Sequence, residues 1–272
     1  MSTATATPDL LAAIVAATRR IVAVREQARS ISVLARGQSR DPRGTEFEQA
    51  LAGTGAPGVR ALARVIAECK RRSPSKGILR EKYEPAQHAR AYEQAGAVAI
   101  SVLTEPAFFD GHPDHLRDVR AAVAIPVLRK DFVISEYQLV EAAVLGADAV
   151  LLIVGALEQR ELTELLGAAD RLGLAALVEV HDPGEMERAV EAGARVIGVN
   201  SRNLRTLTVD LHVLDRIIGD VPDGVTAVAE SGIRTPEDLA RLTAAGYDAF
   251  LVGERLITEP DPGAALRALR GA

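Results

Sequence analysis

Four times in this chain a helical pattern closes on a glycine and a hydrophobic run opens two or three residues later. The junctions are Gln94-Ala95-Gly96-Ala97-Val98, Leu145-Gly146-Ala147-Asp148-Ala149, Glu191-Ala192-Gly193-Ala194-Arg195 and Ala244-Ala245-Gly246-Tyr247-Asp248. Glycine accepts the left-handed conformation that ends a helix, which other residues adopt at a cost. The runs that follow are Ala99 to Leu103, Val150 to Val154, Val196 to Asn200 and Phe250 to Gly253. Four further runs share their character: Ala63 to Lys70, Ile125 to Lys130, Leu174 to Val180 and Val225 to Glu230. Helical patterns separate them, at Pro85 to Ala95, Pro113 to Val123, Glu136 to Leu145, Glu158 to Leu172, Pro183 to Ala192, Asp210 to Ile218, Pro236 to Ala245 and Pro262 to Leu269. Pro85, Pro183 and Pro236 suit first-turn positions. The repeat of roughly 21 to 35 residues fits parallel strands joined by helical crossovers. Continuously apolar strands require burial on both faces. Eight such units close naturally into a (β/α)8 TIM barrel. An open doubly wound sheet is the alternative, but no Gly-x-Gly-x-x-Gly follows the first strand.

Ahead of the barrel, residues 8 to 38 carry helical spacing, with Leu10, Leu11, Ile14, Val15, Ile21, Val22 and Val24 as an apolar stripe. Thr7-Pro8-Asp9 reads as a helix start, and a shorter helix is expected at Thr45 to Ala52 before a turn cluster at Gly53 to Gly58. That stripe is too narrow to build a core alone. Residues 1–272 are therefore expected to form one domain, with 1–60 as a helical N-terminal extension.

Composition narrows the function. With 32 Lys+Arg against 37 Asp+Glu the net charge is −5, so the surface does not favour nucleic acid. Aromatics are 3% and Trp is absent, which argues against stacking platforms for single strands. One cysteine permits no intrachain disulfide and fits a reducing compartment. Neither a signal-like start nor a membrane-length apolar run is present. The expectation is a cytoplasmic protein that binds neither nucleic acid nor membrane.

The chemistry is expected where the strands stop, because the C-terminal strand ends of such a barrel surround one mouth. Glu68-Cys69-Lys70 places a carboxylate and an ammonium on one face and the thiol on the other. The basic, hydroxyl-bearing turn Arg71 to Gly77 then offers an anion site. In Leu128-Arg129-Lys130-Asp131, alternation puts Lys130 beside Leu128, where a partly buried lysine can act as a general acid; a salt bridge to Asp131 is the structural alternative. Glu179 and His181 end the fifth run, and Asn200, Glu230 and Ser231 end the next two. Gly232 and Gly253 follow the last two strands, where barrels often bind phosphate. No His, Cys or carboxylate spacing suggests a metal site.

In this order the motifs resemble the indole-3-glycerol phosphate synthase family over nearly the whole chain. The segments are Ala67 to Gly77, Ser101-Val102-Leu103-Thr104-Glu105, Leu128-Arg129-Lys130-Asp131-Phe132, Gly146 to Ile153, Asn200-Ser201-Arg202-Asn203-Leu204 and Ala229-Glu230-Ser231-Gly232-Ile233. The resemblance implies a lyase of tryptophan biosynthesis that closes, decarboxylates and dehydrates 1-(2-carboxyphenylamino)-1-deoxyribulose 5-phosphate. It implies catalytic roles for Glu68, Lys70, Lys130, Glu179, Asn200, Glu230 and Ser231, with Lys130 as general acid. Ser73, Arg202, Gly232 and Gly253 match substrate- and phosphate-binding positions. Phe109, Phe132, Leu151, Ile153 and Leu204 would form the slot for the aromatic ring. No cofactor is implied, since the iminium formed on ring closure is itself an electron sink. A monomer is expected, open to association with other tryptophan-pathway enzymes. Glu254 stands where many members carry a small hydroxyl residue, and is expected to point away from the phosphate. Two rival readings are a phosphoribosylanthranilate isomerase on the same fold and a catalytically silent barrel.

Overall fold

A computed structural model of the protein describes residues 9–52 and 62–271. The expected features at Thr7, Pro8 and Gly53 to Gly58 lie outside the described residues. Eight parallel strands close the barrel: β1 (Arg64–Cys69), β2 (Ala99–Leu103), β3 (Val127–Lys130), β4 (Ala149–Ile153), β5 (Ala175–Val180), β6 (Val196–Asn200), β7 (Thr226–Glu230) and β8 (Ala249–Val252). Each pairs with its sequence neighbours, and β8 closes on β1 through Arg64 to Ala249 and Ala67 to Val252. Arg72–Ser73 and Gly77–Ile78 form a small antiparallel ladder above β1.

The four junction glycines all take positive φ, between 84° at Gly193 and 115° at Gly246 among them. That is the conformation the repeat demanded. Strand boundaries moved where a local group intervened. β3 opens at Val127 and not Ile125, because Pro126 has no N–H for the ladder. The run ending at Val154 stops one residue earlier, where a 3-10 turn begins.

Three helices precede the barrel: α1 (Leu10–Ala28), α2 (Ile31–Ala35) and α3 (Gly44–Ala52). The single helical pattern over 8 to 38 is thus two helices, broken where Arg29 and Ser30 turn extended. The Asp9 carboxylate caps α1 by accepting from the Ala12 N–H. Leu11 and Ile14 of α1 and Phe47 and Leu51 of α3 join one buried cluster with the barrel interior, from Ile66 and Leu128 to Leu177 and Leu251. The α3 helix sits at the N-terminal end of the barrel, with the Gly44 N–H donating to the Gly173 carbonyl just ahead of β5. Leu10 of α1 donates to the Arg205 carbonyl at the other end. The segment from α1 to α3 therefore wraps the barrel from mouth to base.

The eight barrel helices of the repeat are α4 (Pro85–Gln94), α5 (Pro113–Ala122), α6 (Glu136–Leu145), α7 (Gln159–Arg171), α8 (Pro183–Glu191), α9 (His212–Ile217), α10 (Pro236–Ala245) and, after the one-turn α11 (Glu254–Ile257), α12 (Pro262–Arg270). The α9 helix begins at His212, two residues later than its apolar spacing implied; Asp210 Oδ1 accepts from the His212 N–H just ahead of it.

Asp148, fully buried at the start of β4, ties the wrap to the barrel. It accepts from Arg40 at 2.7 Å, from the Arg43 and Val127 backbone N–H groups, and from Arg120 at 2.8 Å. Burial opposes its charge, but these bonds outweigh burial and hold the carboxyl below its usual range. A depressed carboxyl contributes stability that is complete above its unfolded pKa, about 3.9, and is lost as pH falls through the folded value. Replacing Asp148 with Ala leaves buried guanidinium and amide donors unpaired, at a cost of about 3–5 kcal/mol. The expected outcome for D148A is a melting temperature lower by roughly 2–4 °C per kcal/mol, read by circular dichroism at pH 7.

Candidate active site

The C-terminal strand ends open into a cavity of about 680 Å³. All sixteen residues expected at the site line it. The barrel brings them together because they end successive parallel strands, although β1 and β7 are far apart in sequence.

Lys130 is at the centre. Its ammonium lies 3.1 Å from Glu179 Oε2 and 3.1 Å from Glu230 Oε2. Both carboxylates are 1% exposed, so an unpaired charge on either would cost several kcal/mol. Burial disfavours the ammonium, but the two carboxylates outweigh it and hold Lys130 above the ordinary lysine range. The two glutamates differ. Burial raises Glu230, to about 8, with the Glu179 charge adding to it against the pull of Lys130. In Glu179 the same burial is overcome by the Lys130 charge and then by His181, so its carboxyl is lowered.

The expected alternative for Lys130, a bridge to Asp131, does not form. Asp131 turns to the other side of β3, where it accepts from Thr104 at 2.6 Å and from Arg129 at 3.0 Å. Arg129 is fully buried and also donates to Glu141 Oε2 at 2.7 Å and to the Gln138 carbonyl at 2.9 Å. Arg25 of α1 reaches the same Glu141 oxygen at 3.2 Å. This network satisfies the outward side of β3 and fixes the direction of Lys130. Glu105 is structural too: its two oxygens accept from the Ala107, Phe108 and Phe109 N–H groups. Cys69 faces away from the cavity, fully buried against Ala89 and Tyr92.

At the end of β1, Glu68 Oε1 accepts from Lys70 at 2.5 Å. A Cβ at Gly253 would collide with the Glu68 carboxylate, and one at Gly198 with that of Glu230. Gly198 was not among the expected site residues; only the packing between β6 and β7 shows that its missing side chain makes room. Phe132, Leu151 and Ile153 are buried beside Phe109 and Leu204, with the two phenyl rings 6.2 Å apart. The α1 side chains Leu11 and Ile14 belong to the same cluster. Of these, Phe109, Phe132, Leu151, Ile153 and Leu204 line the cavity.

The cavity is also lined by cations. Ser73, Arg202, Gly232 and Gly253 line it together with Lys76 and Arg234, two cations the motif reading did not assign. Ser231 and Gly232 both take positive φ, 68° and 74°. A non-glycine residue there stores about 1–3 kcal/mol of strain. Ser201 offsets it by donating to the Ser231 carbonyl at 3.1 Å. Asn200 Oδ1 accepts from the Arg202 N–H at 2.9 Å and so fixes the loop carrying that guanidinium. Glu254 does not turn away as expected. It lines the cavity and accepts from Lys76 at 2.6 Å, with Arg202 and Arg234 within 4 Å. Burial would raise its carboxyl, but the bond to Lys76 and the charges of Lys76, Lys70 and Arg202 outweigh burial and lower it.

Among the described residues no group of three or more His, Cys, Asp or Glu could hold a metal ion, and no helix is long and apolar enough to cross a membrane. A closed (β/α)8 barrel with ammonium, carboxylate and anion-binding groups at its C-terminal mouth is the build of a barrel enzyme. The family model described as indole-3-glycerol phosphate synthase matches residues 11–269. The chain belongs to that family. An indole-3-glycerol phosphate synthase of Parafrankia sp. (strain EAN1pec) is 54% identical over 244 residues, covering 90% of this chain and 88% of the relative. That of Beutenbergia cavernae is 49% identical over 265 residues, covering 95% and 94%. That of Mycobacterium sp. (strain KMS) is 48% identical over 269 residues, covering 99% and 95%. Among solved structures, thiamine phosphate pyrophosphorylase from Pyrococcus furiosus superposes with a TM-score of 0.60 at 18% identity, over 77% of this chain and 94% of that one. The likeness is one of fold alone.

Replacing Gly198 with Ala is expected to push the Glu230 carboxylate off Lys130 while the barrel stays folded, at an overpacking cost of about 1–3 kcal/mol. A crystal structure of G198A that kept both 3.1 Å contacts would contradict this account of Gly198.

Proposed function

We propose that the protein converts 1-(2-carboxyphenylamino)-1-deoxyribulose 5-phosphate to indole-3-glycerol phosphate, carbon dioxide and water, in the cytoplasm and with no cofactor. The observation that carries this reading is the position of Lys130. Its ammonium sits between two buried carboxylates, in a cavity also lined by apolar and by cationic side chains.

The phosphate is held by Ser73, Arg202 and the Gly232 and Gly253 backbones, and the ring lies among Phe109, Phe132, Leu151, Ile153 and Leu204. Lys130 donates to the ribulose carbonyl oxygen. As the ring carbon bearing the carboxylate attacks, a carbon–carbon bond forms and the carbonyl electron pair takes the Lys130 proton. Its carboxylate partners keep Lys130 charged, so the ammonium has a proton to give as the oxygen becomes basic. The positive charge left on the iminium faces Glu179, which its neighbours hold anionic, and Glu68. Loss of carbon dioxide returns an electron pair to the ring system. The new hydroxyl then leaves as water with a proton from Lys70, while Glu68 takes one from the adjacent carbon. Lys70 and Glu68 touch at 2.5 Å, so proton return between them resets the pair. Lys130 recovers its proton from solvent, the one proton that loss of carbon dioxide from a carboxylate consumes. Asn200, Glu230 and Ser231 keep the loop, the ammonium and the phosphate turn in place.

The test is indole fluorescence on mixing with the carboxyphenylamino substrate, without added metal or cofactor. Conversion of phosphoribosylanthranilate instead would assign the isomerase reaction, and no signal from folded protein would leave a silent barrel. Lys130→Ala is expected to lower kcat at least ~100-fold, the scale of general acid catalysis, with KM changed only a few-fold. An unchanged kcat would remove Lys130 from the chemistry. Glu254→Gln removes an anion that competes for the cations of the phosphate end. Its expected effect is a several-fold lower KM that converges with the parent KM at high salt, measured by steady-state kinetics.

A further inference from the structure

The remaining unexplained polar group near the site is the imidazole of His181. It does not line the cavity. Its Nδ1 lies 3.0 Å from Glu185 Oε2, and the same oxygen accepts from the His181 backbone N–H at 2.8 Å. Its Nε2 lies 3.4 Å from Glu179 Oε1. Both that buried Glu179 oxygen and His181 Nε2 lack a hydrogen-bond partner among the described residues, so they face each other as an ion pair. The ring thus lies between two carboxylates, hydrogen-bonded to Glu185 and paired by charge with Glu179. Only a doubly protonated imidazole can present a donor to each; a neutral ring would aim a lone pair at one of them.

We propose that His181 is a positioning residue held as an imidazolium, whose charge distinguishes Glu179 from Glu230 and keeps Glu179 the anionic partner of Lys130. This rests on the synthase reading above. The two glutamates meet Lys130 at the same distance of 3.1 Å, so Lys130 alone cannot tell them apart. Among the described residues, Glu179 pairs with His181 as well as Lys130, while Glu230 pairs with Lys130 alone. The charged groups facing the ring are Glu179 on β5, Glu185 on α8 and Glu230 on β7, with Lys130 on β3 beyond Glu179. Gly155 lies against the Glu185 carboxylate and the Leu11 side chain of α1. Burial disfavours the charged ring, but the bond to Glu185 and the Glu179 charge outweigh it and raise His181 above its ordinary value.

The consequence has a definite sign. A cation beside a carboxylate favours its charged form, commonly by one to three pH units. Removing the His181 charge therefore raises the Glu179 carboxyl, and activity falls at a higher pH on acidification. In His181→Asn the acid limb of the kcat profile is expected to move up by about one unit. His181→Lys, which restores a cation, is expected to bring the limb back. A purely structural role would lower the rate at every pH and leave the limb in place, and that result would overturn the proposal. A second measurement needs no turnover. In histidine-labelled protein, long-range proton–nitrogen spectra resolve the ring nitrogens of the five histidines, and the His181 signal is the one missing from His181→Asn. Both its nitrogens are expected to be protonated at pH 7, and Glu179→Gln is expected to lower its titration point. A neutral His181 ring at pH 7 would overturn the proposal even in an active enzyme. A charged ring in a protein that makes no indole product would instead refute the synthase reading alone.

Discussion

A buried ammonium shared by two carboxylates is the arrangement on which the rest of this structure depends. Glu179 and Glu230 approach the same point from β5 and β7, each nearly excluded from water. Without Lys130 neither charge is tolerable there, and without them Lys130 would be driven to its neutral form. The three groups are therefore mutually required. They constrain the barrel register as well, since a one-residue slip of β3 would turn Lys130 outward and bring Arg129 or Asp131 to the mouth.

The outward side of that strand shows how direction is enforced. Arg129 is fully buried yet completely engaged, by Thr104, Asp131, Glu141 and the Gln138 carbonyl. Glu141 is also held by Arg25 of α1. The N-terminal wrap is thus tied to the barrel twice, through Leu11 and Ile14 in the interior cluster that includes Phe132, Leu151 and Ile153, and through Arg25 behind β3. Asp148 repeats the device at the base, where Arg40, Arg43 and Arg120 converge on one carboxylate. Charged side chains tie the wrap to the barrel where its apolar stripe is too narrow to do so alone.

Much of this was legible in the sequence because parallel strands alternate and because barrels gather strand ends. The glycine junctions gave the repeat, and the polar residues at strand termini gave the mouth. What was not legible depends on partners distant in sequence. Asp131 was a candidate partner for Lys130 by proximity along the chain, yet alternation sends it to Arg129 instead. Gly198 carried no motif, and its role shows only when Glu230 packs over it. Glu254 was expected to point away from the phosphate, because it stands where many members of the family carry a small hydroxyl residue. The cations that draw it in, Lys76, Arg202 and Arg234, come from three different loops.

The cavity is electrostatically polar along its length, and this orders events in one direction. Carboxylates gather around Lys130, while Lys76, Arg202 and Arg234 gather at the glycine turns. On the function proposed above, the anionic tail of the substrate goes to these cations, since the reverse would place phosphate against Glu68 and Glu179. Glu254 already sits among those cations. Phosphate binding therefore exchanges one anion for another and does not have to neutralise a bare cluster. On the same proposal, the carbon that becomes cationic lies over the carboxylates. The field that selects the substrate is then the field that stabilises its intermediate, and because it is built from buried, mutually paired groups it needs no rearrangement when the charge develops.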